Sequence, residues 1–293
     1  MRTFFKTLSI YKIPLIIIMI AILAILALFI TFQSRSPVLI VSEEAFIVLY
    51  GKERIKKEIL YNSLTMFRRV KMVILANDAG DDIVPHAVTL VSSRPLCVLF
   101  PSRFSRSAKL YKEQNPDIPA IILAGRYTGN IPGFDYIYKT DIENDFKKAG
   151  LAALQIAGEG RIAVFLESSI EKQAKEAFLD SIGEEKTPNV RFYTSYSANM
   201  QTSELSCAVL SGIGGEFIEG NEKIPIILIS WLNPVYLPSN IVLIINDSPT
   251  IQVGEVVRLL SAGEKEGRIE SKIIAQNSKN IDRKILRKIR KIR

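Results

Sequence analysis

"TDIENDFKKAGLAALQIAGEGRIAVFLESSIEKQAKEAFLDSI", residues 140–182, decides the fold. It reads as three elements in a row. Ile142–Ile156 has helical character and ends at Gly158 and Gly160. "RIAVFL" (161–166) is a continuous apolar run of strand length, and residues 169–182 return to a helical pattern. An unbroken apolar strand between amphipathic helices predicts a strand covered on both faces by crossover helices.

The same alternation extends both ways. Towards the amino terminus lie strand-like "PVLIV" (37–41), "VKMVIL" (70–75), "PLCVLF" (95–100), "PAIILA" (119–124) and "FDYIYK" (134–139), with helices over 53–67, 83–91 and 105–115. Towards the carboxyl terminus follow "VRFYT" (190–194), a helix near 201–210, "PIILIS" (225–230), "NIVLII" (240–245) and a helix over 250–262. Two successive series predict an α/β protein of two doubly wound parallel-sheet lobes, with a cleft at the carboxyl ends of the strands. The expected first lobe is 37–140 plus 249–263, and the second 141–248 plus 268–278. A hinge is expected near Lys139–Glu143, where few residues need to move to close a cleft.

This pattern resembles the type I periplasmic binding proteins and the lac-repressor-type sugar-binding domains. Residues 140–182 are similar to the start of that family's second lobe, where a helix ends at glycine before a strand of the form Arg161-Ile162-Ala163. "NIVLIINDSPTIQVGEVVRLLSAGE" (240–264) is similar to its last second-lobe strand and crossing helix, and "SKIIAQNS" (271–278) to its closing strand. The resemblance implies a non-catalytic binder of a small polar ligand, sugar-like or related, with Asp247 accepting hydrogen bonds from ligand hydroxyls. It covers residues 37–278 and includes no DNA-binding headpiece.

In place of a headpiece stands "IPLIIIMIAILAILALFITF" (13–32), twenty residues without a charge. At about 1.5 Å per residue it spans roughly 30 Å, the thickness of a bilayer's hydrocarbon core. Arg2, Lys6 and Lys12 precede it, so residues 1–12 are expected in the cytoplasm and the lobes outside the inner membrane. The run is long for a signal peptide, and "SRS" (34–36) followed by Pro37 is a poor cleavage site, so a single-pass anchor is expected.

Of the net charge of +8, residues 279–293 carry +7 and residues 1–12 carry +3, which leaves the body at −2. A nucleic-acid-binding body would carry the charge itself. In the closing "IDRKILRKIRKIR" (281–293), Ile281, Ile285, Ile289 and Ile292 share one helical arc. Arg283, Lys284, Arg287, Arg290 and Lys291 lie on the other side, and Arg283, Lys284, Arg287 and Lys288 are expected to meet the lipid headgroups. The expectation is a helix lying on lipid, isoleucines inward.

The strand-end rule selects Asp78, Arg103 and Arg126 from the first lobe, and Trp231 and Asp247 from the second, as ligand contacts. The indole would stack on a sugar or base face, and the arginines would hold a carboxylate or phosphate in forked pairs. One histidine, His86, builds neither a metal site nor a catalytic triad, so no cofactor or metal is expected. Spacing does not decide between free thiols and a disulfide for Cys97 and Cys207, and the apolar run around Cys97 favours a buried thiol. "ANDAGDD" (76–82) lacks the spacing of a calcium loop, and the glycines of 211–220 read as a flexible connection after a helix. The expected function is capture of a small polar ligand for uptake or sensing beside a membrane permease or sensor. The alternative is an interaction protein that keeps the fold without a working pocket.

Overall fold

The computed structural model describes residues 2–127, 129, 131–195, 202, 204–212, 215–229, 238–276 and 280–292. The chain opens with α1 (Arg2–Ser34). The apolar side chains of its second half, from Ile17 to Ile30, stand exposed.

The first sheet takes β1 (Val38–Glu43), β2 (Val70–Leu75), β3 (Cys97–Pro101), β4 (Ala120–Gly125) and β5 (Tyr136–Thr140). Between them run α2 (Glu44–Tyr50), α3 (Lys52–Thr65), α4 (Ile83–Val91) and α5 (Ser105–Gln114). The second half adds α6 (Ile142–Ala157), β6 (Arg161–Phe165), α7 (Glu171–Ile182), β7 (Val190–Tyr193), β8 (Leu205–Leu210), α8 (Gly215–Gly220), β9 (Ile226–Ile229) and β10 (Ile241–Asn246). The chain then crosses back through α9 (Pro249–Ser261) and β11 (Glu266–Ile269), returns in β12 (Lys272–Ala275), and ends in α10 (Arg283–Ile289).

The two six-stranded sheets are ordered β2-β1-β3-β4-β5-β11 and β7-β6-β8-β9-β10-β12. Every described pairing is parallel except β10 with β12. Val38 to Val41 are buried throughout, as a central parallel strand requires. Each sheet has an apolar cluster on both faces. The crossing helix α9 gives Val253, Val256 and Leu259 to the first lobe. Gly150 lets α6 lie close to α7, since a Cβ there would stand 3.0 Å from the Phe178 carbonyl oxygen.

Three sequence expectations need correction. Residues 205–210 form β8, a central strand buried on both faces by tertiary packing, where a helix was expected. Gly212 therefore follows a strand, and Gly215 and Gly220 lie in α8, where a flexible connection after a helix was expected. The boundary between lobes also falls later than expected. β11, through Ile269, pairs with β5 in the first sheet, so the last crossing lies between Ile269 and Lys272. Helix α2, inserted directly after β1, was not foreseen.

Candidate functional site

The strand order reverses between β1 and β3 in one lobe and between β6 and β8 in the other. At these reversals the crossover helices diverge to opposite faces and leave a crevice at the strand ends. A cleft of about 550 Å³ lies there. Pro101–Arg103 after β3 and Leu123–Tyr127 around the end of β4 form one wall. Glu167 and Ser169 after β6, Gly212 after β8, and Asp247 after β10 form the other, and Gln252 of α9 completes it.

Arg126 spans the cleft. Its Nη1 donates to Ser211 Oγ at 3.1 Å, and its Nη2 lies 3.3 Å from Asp247 Oδ2. Both partners of this pair are nearly buried, at 12% and 6% side-chain exposure. Nη2 nonetheless has no aligned hydrogen bond, so the contact is one of charge rather than a fitted fork. Arg126 Nε and Asp247 Oδ1 are also buried without partners. Arg103 pairs with Glu43, at the end of β1, and lies over the Phe104 ring.

Behind Asp247 lies Asp145, on the first turn of α6 and fully buried. Its Oδ2 accepts from Ser271 Oγ at 2.7 Å, and its Oδ1 has no partner. Burial pushes its carboxyl up to about 7. The Arg126 guanidinium opposes that rise, and the Asp247 carboxylate reinforces it. Polar ties also hold the three crossings. Gln252 donates to Thr140 Oγ1, Asp141 N to the Ile269 carbonyl, and Lys148 to the Ser271 carbonyl. Tyr50 Oη receives both Asn246 and Ser248 and donates to Glu58, which also accepts from Thr250. Burial raises the Glu58 carboxyl above its ordinary value.

Arg103, Arg126 and Asp247 thus meet at the cleft, as the strand-end rule expects. Asp78 does not. It is exposed beyond β2, an edge strand set aside from the strand reversal, and is absent from the cleft walls. Its neighbour Asn77 accepts from the Ala45 amide at the start of α2. Trp231 lies outside the described residues. Glu167, Gln252 and Asp145 were missed. An acid in the first turn of a helix reads as a surface charge favoured by the helix dipole, and nothing local marks Asp145 as buried.

The closing segment also departs from expectation. Leu286 and Ile289 are buried, and Ile281, Ile285 and Ile292 pack on the second-lobe core. The isoleucine stripe is consumed inside the molecule because α10 docks on α6. Arg283, Lys284, Arg287 and Lys288 stay exposed. Both sheets aim their carboxyl ends at the cleft, so their amino ends form opposite poles. Helix α10 lies beside Leu151 and Gln155, on the half of α6 that runs to the second-lobe pole.

No family model matches this chain, and no curated protein matches it in sequence. Solved structures do match in shape. An ABC-transporter solute-binding protein from Conexibacter woesei aligns at a TM-score of 0.58 and 10% identity, covering 87% of this chain and 94% of its own. The chain has the type I periplasmic-binding-protein fold. Two more structures share that fold. One is a periplasmic solute-binding protein from Actinobacillus succinogenes with bound D-allose, at TM-score 0.53 and 11% identity, covering 82% and 98%. The other is a LacI transcriptional regulator from a Rhodococcus species, at TM-score 0.52 and 13% identity, covering 83% and 98%. Within the periplasmic-binding-protein fold the cleft of this chain lies between the lobes, where three crossings permit a hinge.

Proposed function

We propose that this chain is a membrane-anchored, extracytoplasmic solute-binding protein that captures a small polar ligand between its lobes. The observation that carries the reading is the set of unpartnered buried atoms at the cleft. Arg126 Nε and Nη2 are donors, and Asp247 Oδ1 is an acceptor. Buried polar atoms need partners, and a ligand bearing both donors and acceptors, such as a sugar or polyol, supplies them. The D-allose bound by the Actinobacillus structure supports this class. Arg126 and Asp247 grip the ligand, Arg103 borders it, and Trp231, just past β9 in sequence, stacks on it. Helix α1 anchors the chain with its amino end in the cytoplasm, and its length and composition support this. The closed form is presented to a membrane permease or sensor, for uptake or sensing.

The test is a melting screen of the full chain in detergent against pentoses, hexoses and polyols. A ligand at about 100 times its Kd adds about 2.7 kcal/mol of stability. At least one sugar or polyol is expected to raise the melting temperature saturably, and Arg126→Ala or Asp247→Ala to abolish the shift. Trp231→Ala weakens binding by about 0.5–1.5 kcal/mol. Absence of any shift would overturn the reading. It would favour the interaction protein, which the direct bridge from Arg126 to Ser211 and Asp247 also suits, since it joins the lobes unaided.

A further inference from the structure

Helix α1 enters the first lobe with no free linker. The carbonyls of residues 35–37 are all taken by the fold. Arg69 Nη2 donates to the Arg35 carbonyl at 3.3 Å, Arg68 Nη1 to the Ser36 carbonyl at 2.6 Å, and the Leu96 amide to the Pro37 carbonyl at 2.8 Å. Arg35 Nη1 donates in turn to the Phe67 carbonyl at 3.4 Å. The Phe67 ring meets Phe32 of α1 at 5.6 Å and lies under the Arg35 guanidinium at 5.1 Å. Among the described residues Phe67 is the one non-glycine with positive φ, at 48°. Such a backbone persists where its surroundings hold it, and here they are the end of α1 and its arginine.

Four arginines gather at this pole: Arg35, Arg68, Arg69 and Arg94, the last two residues before Leu96. Among the described residues none has a carboxylate partner. Each guanidinium carries five donors. Arg35, Arg68 and Arg69 each spend one on a carbonyl, and Arg69 Nε is buried with no partner. Whatever medium accepts the exposed apolar side chains of α1 has its polar boundary where the helix ends, at these arginines.

We propose that this arginine collar binds the phosphates of the phospholipid leaflet from which α1 emerges. Guanidinium groups grip phosphate in forked pairs. Lobe 1 is thereby seated on the bilayer and lobe 2 is the part that swings. The proposal rests on the reading of α1 as a membrane span.

The experiment uses the full chain in vesicles of phosphatidylcholine with and without phosphatidylglycerol, and a quencher on the lipid headgroups. A fluorophore on Ser93→Cys reports, since Ser93 is exposed beside the collar and both native cysteines are buried. Anionic lipid is expected to deepen quenching, and added salt to reverse it. Arg94 makes no hydrogen bond or ion pair to the described fold, so Arg94→Gln leaves the junction intact and lowers the docked-to-undocked ratio by roughly five-fold. Replacing all four by glutamine abolishes the lipid dependence, and four lysines restore only part of it, because the charge remains and the guanidinium fork does not. If the glutamine set does not fold, Arg94→Gln decides alone. Quenching that ignores both lipid charge and Arg94→Gln overturns the collar. Release of the chain by alkaline carbonate instead overturns the membrane span beneath it, so the two failures are distinct.

Discussion

Both poles of the molecule are basic, and they are built in opposite ways. At the first-lobe pole, Arg35, Arg68 and Arg69 bind backbone carbonyls around the end of α1, whose apolar side chains remain uncovered. At the second-lobe pole, the bases of α10 ride on an apolar stripe that lobe 2 has already buried. A basic run beside isoleucines reads the same in both settings. What differs is whether protein has covered the apolar partner. In the uncovered case the apolar side chains from Ile17 to Ile30 stand open, as the proposed membrane span requires, and the covered case is a piece of core with a charged roof.

Four experiments break or sharpen this contrast. The largest effect is expected from Ile289→Ala. The residue is fully buried, and such truncations cost about 2–4 kcal/mol. Denaturant melts of the full chain check it. A stripe resting on lipid would leave those melts unchanged in lipid-free detergent.

Next is Asp145→Asn, which asks whether the buried charge between the poles opposes the fold. The folded carboxyl titrates near 7, above its ordinary value near 4, so the folded state holds the proton more tightly. That stabilisation is complete below about pH 4 and is lost as pH rises through about 7. The asparagine variant stays neutral throughout. It should match the native chain near pH 4 and exceed it by about 1–3 kcal/mol near pH 8. Thermal melts across that range check it, and a constant difference would contradict the burial argument.

Third, Phe67→Ala removes two ring contacts while leaving the positive-φ backbone, and should cost about 1–2 kcal/mol in the full chain. The same substitution should have no effect on a chain cut before Pro37, because both ring partners are then gone. The smallest effect is expected from Lys284→Glu with Arg287→Glu. Both are exposed, and stability should move by less than about 0.5 kcal/mol in denaturant melts.

Much of the fold was legible. The helix over 83–91 and the apolar strands at 70–75 and 161–166 stand where their patterns place them. Arg103, Arg126 and Asp247 were legible because a residue just past a parallel strand must face the crevice. Asp78 obeys the same local rule and fails, because β2 lies at the sheet edge and strand order is not written locally. Residues 205–210 were misread for a related reason. β8 is held between β6 and β9, and Cys207 with Val209 on one face and Ala208 with Leu210 on the other are buried only because distant apolar residues cover both faces.

The sequence by itself determined the alternation of strands and helices, the uncharged helix at the start, and the division of charge between ends and body. Each depends on neighbours within a turn or two along the chain, where apolar spacing and side-chain bulk act directly. Only the tertiary structure decided that Asp145 is buried beside Arg126, that Tyr50 holds Asn246 across 196 residues, and that the final isoleucines face protein. Those outcomes rest on burial and on pairing between distant segments. Burial sets the cost of a charge and the value of an apolar stripe, and it exists only once the chain has packed.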